Sequence, residues 1–178
     1  MNIIDRLVGS ARGAEKVGWR QMTNKIRITK SSTADTRTCD WANVTQDMLR
    51  ESSEKHIDDV RRGIELLRDL LLIAGKNHDR TKLSHINEFF ADFKTGFKNT
   101  EWWIMHQREE RHHFSNAEFV RDDVNLIDVL EQITDGVMAG MARSGQYRCE
   151  PPTAELLRKA YDNTAKMLVD CVVVVSDA

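Results

Sequence analysis

His78 and Asp79 are adjacent, and an imidazole beside a carboxylate offers two donors to one divalent cation. Four other histidines lie close by, at positions 85, 106, 112 and 113, with a further one at 56, so that all six fall between 56 and 113 and none lies in either flank. That concentration predicts a metal site rather than scattered solvated rings. Three nitrogen or oxygen donors of this mixed type suit Mn, Fe, Co, Zn or Mg and leave coordination positions open to water. Such an ion lowers the pKa of bound water from near 16 to roughly 7 and neutralises charge on a phosphoryl oxygen. Lys82 and Arg111, near the histidines in sequence, are the candidate catalytic cations to hold that phosphoryl group.

Donors held between helices must project from several of them, because one helix face offers only positions three, four or seven apart. The first helix is expected from Thr45, an N-cap, to a stop at Gly75, with Val60, Ile64, Leu67 and Leu71 as its apolar stripe and His56 on its length. His78-Asp79 follow at a junction, ahead of a second helix over about 84–97 whose Ile86, Phe89, Phe90 and Phe93 face inward. Thr100 is expected to cap a third helix running to His113, with His106 and His113 on one face and His112 pointing elsewhere. That pair could bind a second ion or the substrate. A fourth helix starts at Asn125, ends near Gly145 and carries an acidic row, Asp128, Glu131 and Asp135, one of which could complete the metal shell. After a loop and Pro151-Pro152, Thr153 caps the last helix, whose Val172 to Val175 run reads equally as a short strand. Trp102 and Trp103, a turn before His106, are core residues or an aromatic wall beside the site.

Bulk properties agree with an all-α chain built around one core. At 178 residues it is long enough for one domain. With 30% charged and 40% hydrophobic residues and a net charge of -2, neither disorder nor a globally basic nucleic-acid binder is indicated. Cys39, Cys149 and Cys171 form no CxxC pair, which argues against a disulfide framework and a thiolate zinc site and favours a reducing cytoplasm. Neither a signal peptide nor a membrane span is expected. Residues 1–40 carry eight Lys or Arg against four acids and read as a basic arm, loop or packed on the core, while 41–178 form the helical domain.

The order His56, His78-Asp79, Lys82 and Asp135 resembles the His, His-Asp, Asp pattern of the HD-domain metal-dependent phosphohydrolases. The strings HDRTKLSHINEF, MHQREERHHF and NLIDVLEQITDG are similar to a small uncharacterised HD-like family common in bacteriophage genomes. The likeness spans about residues 50–145. It implies a single-domain HD-like bundle of five to six helices and one or two divalent ions held by His56, His78, Asp79 and Asp135. His106, His112 and His113 match the additional histidines of two-metal variants. The implied activity is hydrolysis of a nucleotide or similar small phosphate ester by a metal-activated water, in the cytoplasm, the host's if the protein is phage-encoded. Asp128 competes with Asp135 as last ligand and is otherwise a candidate catalytic carboxylate. Trp19-Arg20 matches loosely an aromatic-basic pair that contacts nucleotide in the deoxynucleotidase branch.

Two other classes fit the same residues. One is a non-catalytic helical binding protein whose HD-like core is structural, with a protein or nucleic-acid partner for the basic arm; in any of these classes the chain could form a homo-oligomer. The other is a di-metal oxygenase.

Overall fold

The computed structural model describes residues 25–30, 40–147 and 149–176. They are predominantly helical, in the order β1 (Ile26–Lys30), α1 (Gln46–Asn77), α2 (Arg80–Ser84), α3 (Ile86–Lys94), α4 (Glu101–Glu109), a 3-10 turn (Ala117–Phe119), α5 (Leu126–Ser144), α6 (Ala154–Cys171) and β2 (Val172–Ser176). No helix among the described residues is long and apolar enough to cross a membrane.

Three helices start where local chemistry says they should. Thr45, Asn125 and Thr153 each accept a backbone N–H of the following first turn, satisfying one of the donors a helix start leaves open. Asn125 does so within a capping box, Asp128 returning the bond to its backbone. Gly145 closes α5 at a positive φ of 65°, where a side chain would be strained.

Helix α1 packs against α5, and α5 against α6. Leu66, Leu70 and Ala74 of α1 are buried with Ile127 and Cys171, and Leu67 packs partly against them. The buried stripe is thus turned away from the expected one: Val60 and Ile64 are exposed, and Leu71 is 37% exposed. A helix with apolar residues on two adjoining stripes buries the one its neighbours cover. On α3 the same holds, since Ile86, Phe90 and Phe93 are exposed and Phe89 alone turns inward, stacked on Trp102 with ring centroids 4.3 Å apart.

The strand reading of Val172 to Val175 is the one the fold adopts. β2 pairs in parallel with β1, Ile26 opposite Val172 through Lys30 opposite Ser176. Residues 26–30, expected to be loop or packed arm, are therefore a strand whose crossover connection is the whole helical region. Ile26 packs on the core, and Arg62 of α1 donates to the Arg27 carbonyl at 2.9 Å.

Candidate metal centre

Two breaks in the helical path assemble the site. α1 ends at Asn77, and Asp79 adopts the left-handed conformation, φ 52° and ψ 25°, before α2 begins. Asp tolerates that region better than most residues, and non-glycine positions held there cluster at functional sites. The reversal leaves the two side chains of the pair facing one another, His78 Nε2 3.4 Å from Asp79 Oδ2. The second break is at Glu110, whose extended backbone ends α4 short of the expected His113. His112 and His113 accordingly leave the helix and fold back on His106.

Asp79 occupies the N-cap position of α2 without capping it. That duty passes to the buried Glu110, whose Oε1 accepts the Thr81 N–H at 2.9 Å. A carboxylate brought from the end of α4 thus frees Asp79 for the histidines. Asp92 plays a similar part for α4: its two oxygens accept from Thr100 N and Trp103 N, so Asp92 and not Thr100 caps that helix.

Around Asp79 the donors converge. Its Oδ1 lies 3.3 Å from His106 Nε2 and 3.7 Å from His112 Nε2, and its Oδ2 lies 3.4 Å from His78 Nε2. His113 Nε2 is 2.9 Å from His106 Nε2. Lys82 forms an ion pair with Asp79 Oδ2. Asp135, on α5, approaches the same centre, its Oδ1 3.6 Å from His78 Nε2. One turn earlier, Glu131 Oε1 sits behind two of the rings, 3.0 Å from His78 Nδ1 and 3.1 Å from His112 Nδ1. His106 Nδ1 is 2.6 Å from Thr81 Oγ1, and Trp102 stacks on the His106 ring at 4.7 Å.

Two donor triads result: His78, Asp79 and His112, and Asp79, His106 and His113, with ligand atoms in each within 4.8 Å of one another. Ligands roughly 2.1 Å from a common ion stand about 3 to 4 Å apart, so the spacing fits a divalent cation. The orphaned atoms agree. Asp79 Oδ1 and both ring nitrogens of His112 are buried and complete no hydrogen bond, although His112 Nδ1 lies close to Glu131. Such groups in a native fold call for a partner.

The electrostatics of Asp79, His106 and His113 suit ligands. Burial would raise the Asp79 carboxyl, but Lys82 and the neighbouring imidazoles outweigh it and hold it below the ordinary value. Burial pushes His106 down to about 4, against the pull of Asp79, and His113 down to about 3, helped by His112 and His106. His112 goes the other way, because Glu131, with Asp79 and Asp135, overcomes its desolvation.

These shifts set an acid limit on the metal-free protein. Both His106 and His113 titrate near 6.5 in an unfolded chain, so below that value the unfolded state binds more protons than the folded one. Stability is then full above pH 6.5 and falls as the pH drops toward 4 and on to 3, by about 3 kcal/mol for the fully buried His106 alone. His112, raised, contributes in the opposite sense only above 6.5. Thermal melts of chelator-treated protein from pH 7 to 4 should show the midpoint falling steadily. A midpoint that stays level would mean that these rings are not held neutral.

The remaining expected site residues are placed as follows. His56 is exposed on α1, 22 residues before His78. At 1.5 Å per residue along one continuous helix it is about 30 Å away, so it is not a ligand in this cluster. Asp128 does not reach the histidines either: it is buried in a two-pronged pair with Arg111, at 2.7 and 2.8 Å, and accepts Asn125 N–H at 2.9 Å. Arg111 also holds Asp123 through its side chain and carbonyl. Its guanidinium is thereby committed to tying the α4–α5 connection together, not directed at a phosphoryl group. His112, expected to point elsewhere, is in the centre. Trp19 and Arg20 lie outside the described residues. Glu131 was legible only as one member of an acidic row, and neither Thr81 nor Glu110 carried a local signal, since their roles depend on contacts 25 and 29 positions away.

Compared with protein families, with curated proteins and with solved structures, the chain matches none.

Proposed function

We propose that this protein is a metal-dependent phosphohydrolase acting on a nucleotide or a similar small phosphate ester. The observation that carries the reading is the position of Asp79, shared by two donor triads while its outer oxygen pairs with Lys82. His78, Asp79 and His112 would hold one cation, with Asp135 beside it, and Asp79, His106 and His113 a second. A divalent ion there supplies positive charge for phosphoryl oxygens and makes water a stronger acid. Lys82, about a third exposed, is the group on the chain that would meet the anionic substrate, releasing Asp79 as it does so. Asp135, a third exposed beside His78, would take the proton of the attacking water. The water oxygen would then bond to phosphorus as the ester P–O bond breaks, and the leaving oxygen would take up the proton that Asp135 received.

A second reading has its own observation. Each triad is two imidazoles and one carboxylate, the donor set of non-haem iron oxygenases. The presence of a lysine on the shared carboxylate favours phosphate. Purified protein supplied with Mn, Co or Mg should release phosphate, pyrophosphate or triphosphate from at least one member of a panel of nucleoside mono-, di- and triphosphates and cyclic nucleotides, and a chelator should stop it. Oxygen consumption by iron-loaded protein without phosphate release would support the oxygenase instead, and silence in both assays would support a binding protein.

A further inference from the structure

We propose that Glu131 is a positioning residue whose single carboxylate oxygen holds His78 and His112 together by their Nδ1 atoms and so turns both Nε2 atoms onto Asp79. The inference rests on reading the cluster as a metal centre and adds to it the group that sets the orientation of one triad.

Oε1 of Glu131 meets both rings: it hydrogen-bonds to His78 Nδ1 at 3.0 Å and lies 3.1 Å from His112 Nδ1, an approach whose angle does not complete a hydrogen bond. The rings lie 4.5 Å apart, tilted by 39°, which lets both edges meet one atom. A carboxylate oxygen has two lone pairs and can accept from both. A neutral imidazole has one N–H, so the proton drawn to Nδ1 leaves a bare lone pair on Nε2. Those lone pairs face Asp79, at 3.4 Å for His78 and 3.7 Å for His112. Acceptor then faces acceptor, an arrangement that repels unless a cation lies between. Hydrogen-bond roles reversed, with the proton on Nε2, would leave contacts of 3.4 and 3.7 Å, too long to be good hydrogen bonds. Glu131 and Asp79 sit on opposite edges of the rings, so Glu131 acts from behind and does not compete as a ligand. Its place one turn before Asp135 on α5 lets one rigid helix supply both the orienting oxygen and the Asp135 carboxylate.

The test uses the full chain, wild type against Glu131→Ala, Glu131→Gln and Glu131→Asp, each checked by circular dichroism. Co(II) affinity and the visible Co(II) spectrum are measured, together with nitrogen NMR of histidine-labelled protein. Alanine should weaken Co(II) binding by about 10- to 100-fold and alter the spectrum. Glutamine, whose carbonyl oxygen still accepts from Nδ1–H, should recover most of both, and aspartate, with its oxygen withdrawn by a methylene, should fall between. In zinc-loaded wild type, His78 and His112 should carry the proton on Nδ1. Unchanged affinity and spectrum in Glu131→Ala, or zinc on Nδ1, would overturn the proposal. Failure of the wild type to take up any metal would sink the metal-centre reading instead. In that event the metal-free NMR decides on Glu131: a His78 proton on Nδ1 that is lost in Glu131→Ala supports the positioning role, and identical tautomers refute it.

Discussion

Replacing His78 and Asp79 together by alanine is expected to abolish metal-dependent turnover and metal uptake while leaving helical content nearly unchanged. Asp79 belongs to both triads, so its loss cuts each of them, and the loss of His78 removes a second donor from one. The fold should survive, because the core formed by Leu66, Leu70, Ala74, Ile127 and Cys171 lies apart from the pair. Saturating metal should raise wild-type stability, by about 2.7 kcal/mol at a hundred times the dissociation constant, and leave the double variant unmoved. Isothermal titration and melts with and without Co(II), alongside phosphate release, make the comparison. Retention of metal-dependent turnover by the double variant would remove this cluster from the chemistry.

Arg111→Ala is expected to unfold the protein more readily, by about 3 to 5 kcal/mol, the usual cost of stranding one member of a buried ion pair. Asp128, 1% exposed, loses both guanidinium bonds. It would keep only Asn125 N–H from this set. Because Asp128 also closes the capping box of α5, the damage reaches the helix that carries Glu131 and Asp135. Arg111→Lys should recover part of the loss, since an ammonium does not reproduce the two-pronged geometry. Urea denaturation followed by circular dichroism reads the effect. A variant of undiminished stability with weakened substrate binding would restore Arg111 to the phosphate-holding role its sequence position suggested.

What the sequence determined by itself was mostly local. Thr45, Asn125 and Thr153 start helices because a short oxygen-bearing side chain followed by a helix-forming run is a signal confined to one turn. The adjacency of His78 and Asp79 placed two donors at a junction, whereas His56, expected as a ligand, is set aside only by the unbroken α1, which carries it about 30 Å off. The tertiary structure decided everything that depends on which face meets which. Periodicity showed that α1 has apolar residues at helical intervals but not that Leu66 and Leu70, rather than Val60 and Ile64, would be covered. Asp128 and Asp135 are seven apart, hence on nearly one face yet about 10 Å apart along α5, and only the arrival of Arg111 at the first leaves the second to the histidines. The same is true of Asp79. An aspartate before a helix caps it by default, and this one is available to the histidines because Glu110, 31 positions later, takes over the open N–H of Thr81. No rule of spacing encodes that exchange, since it exists only once the end of α4 is packed against the start of α2.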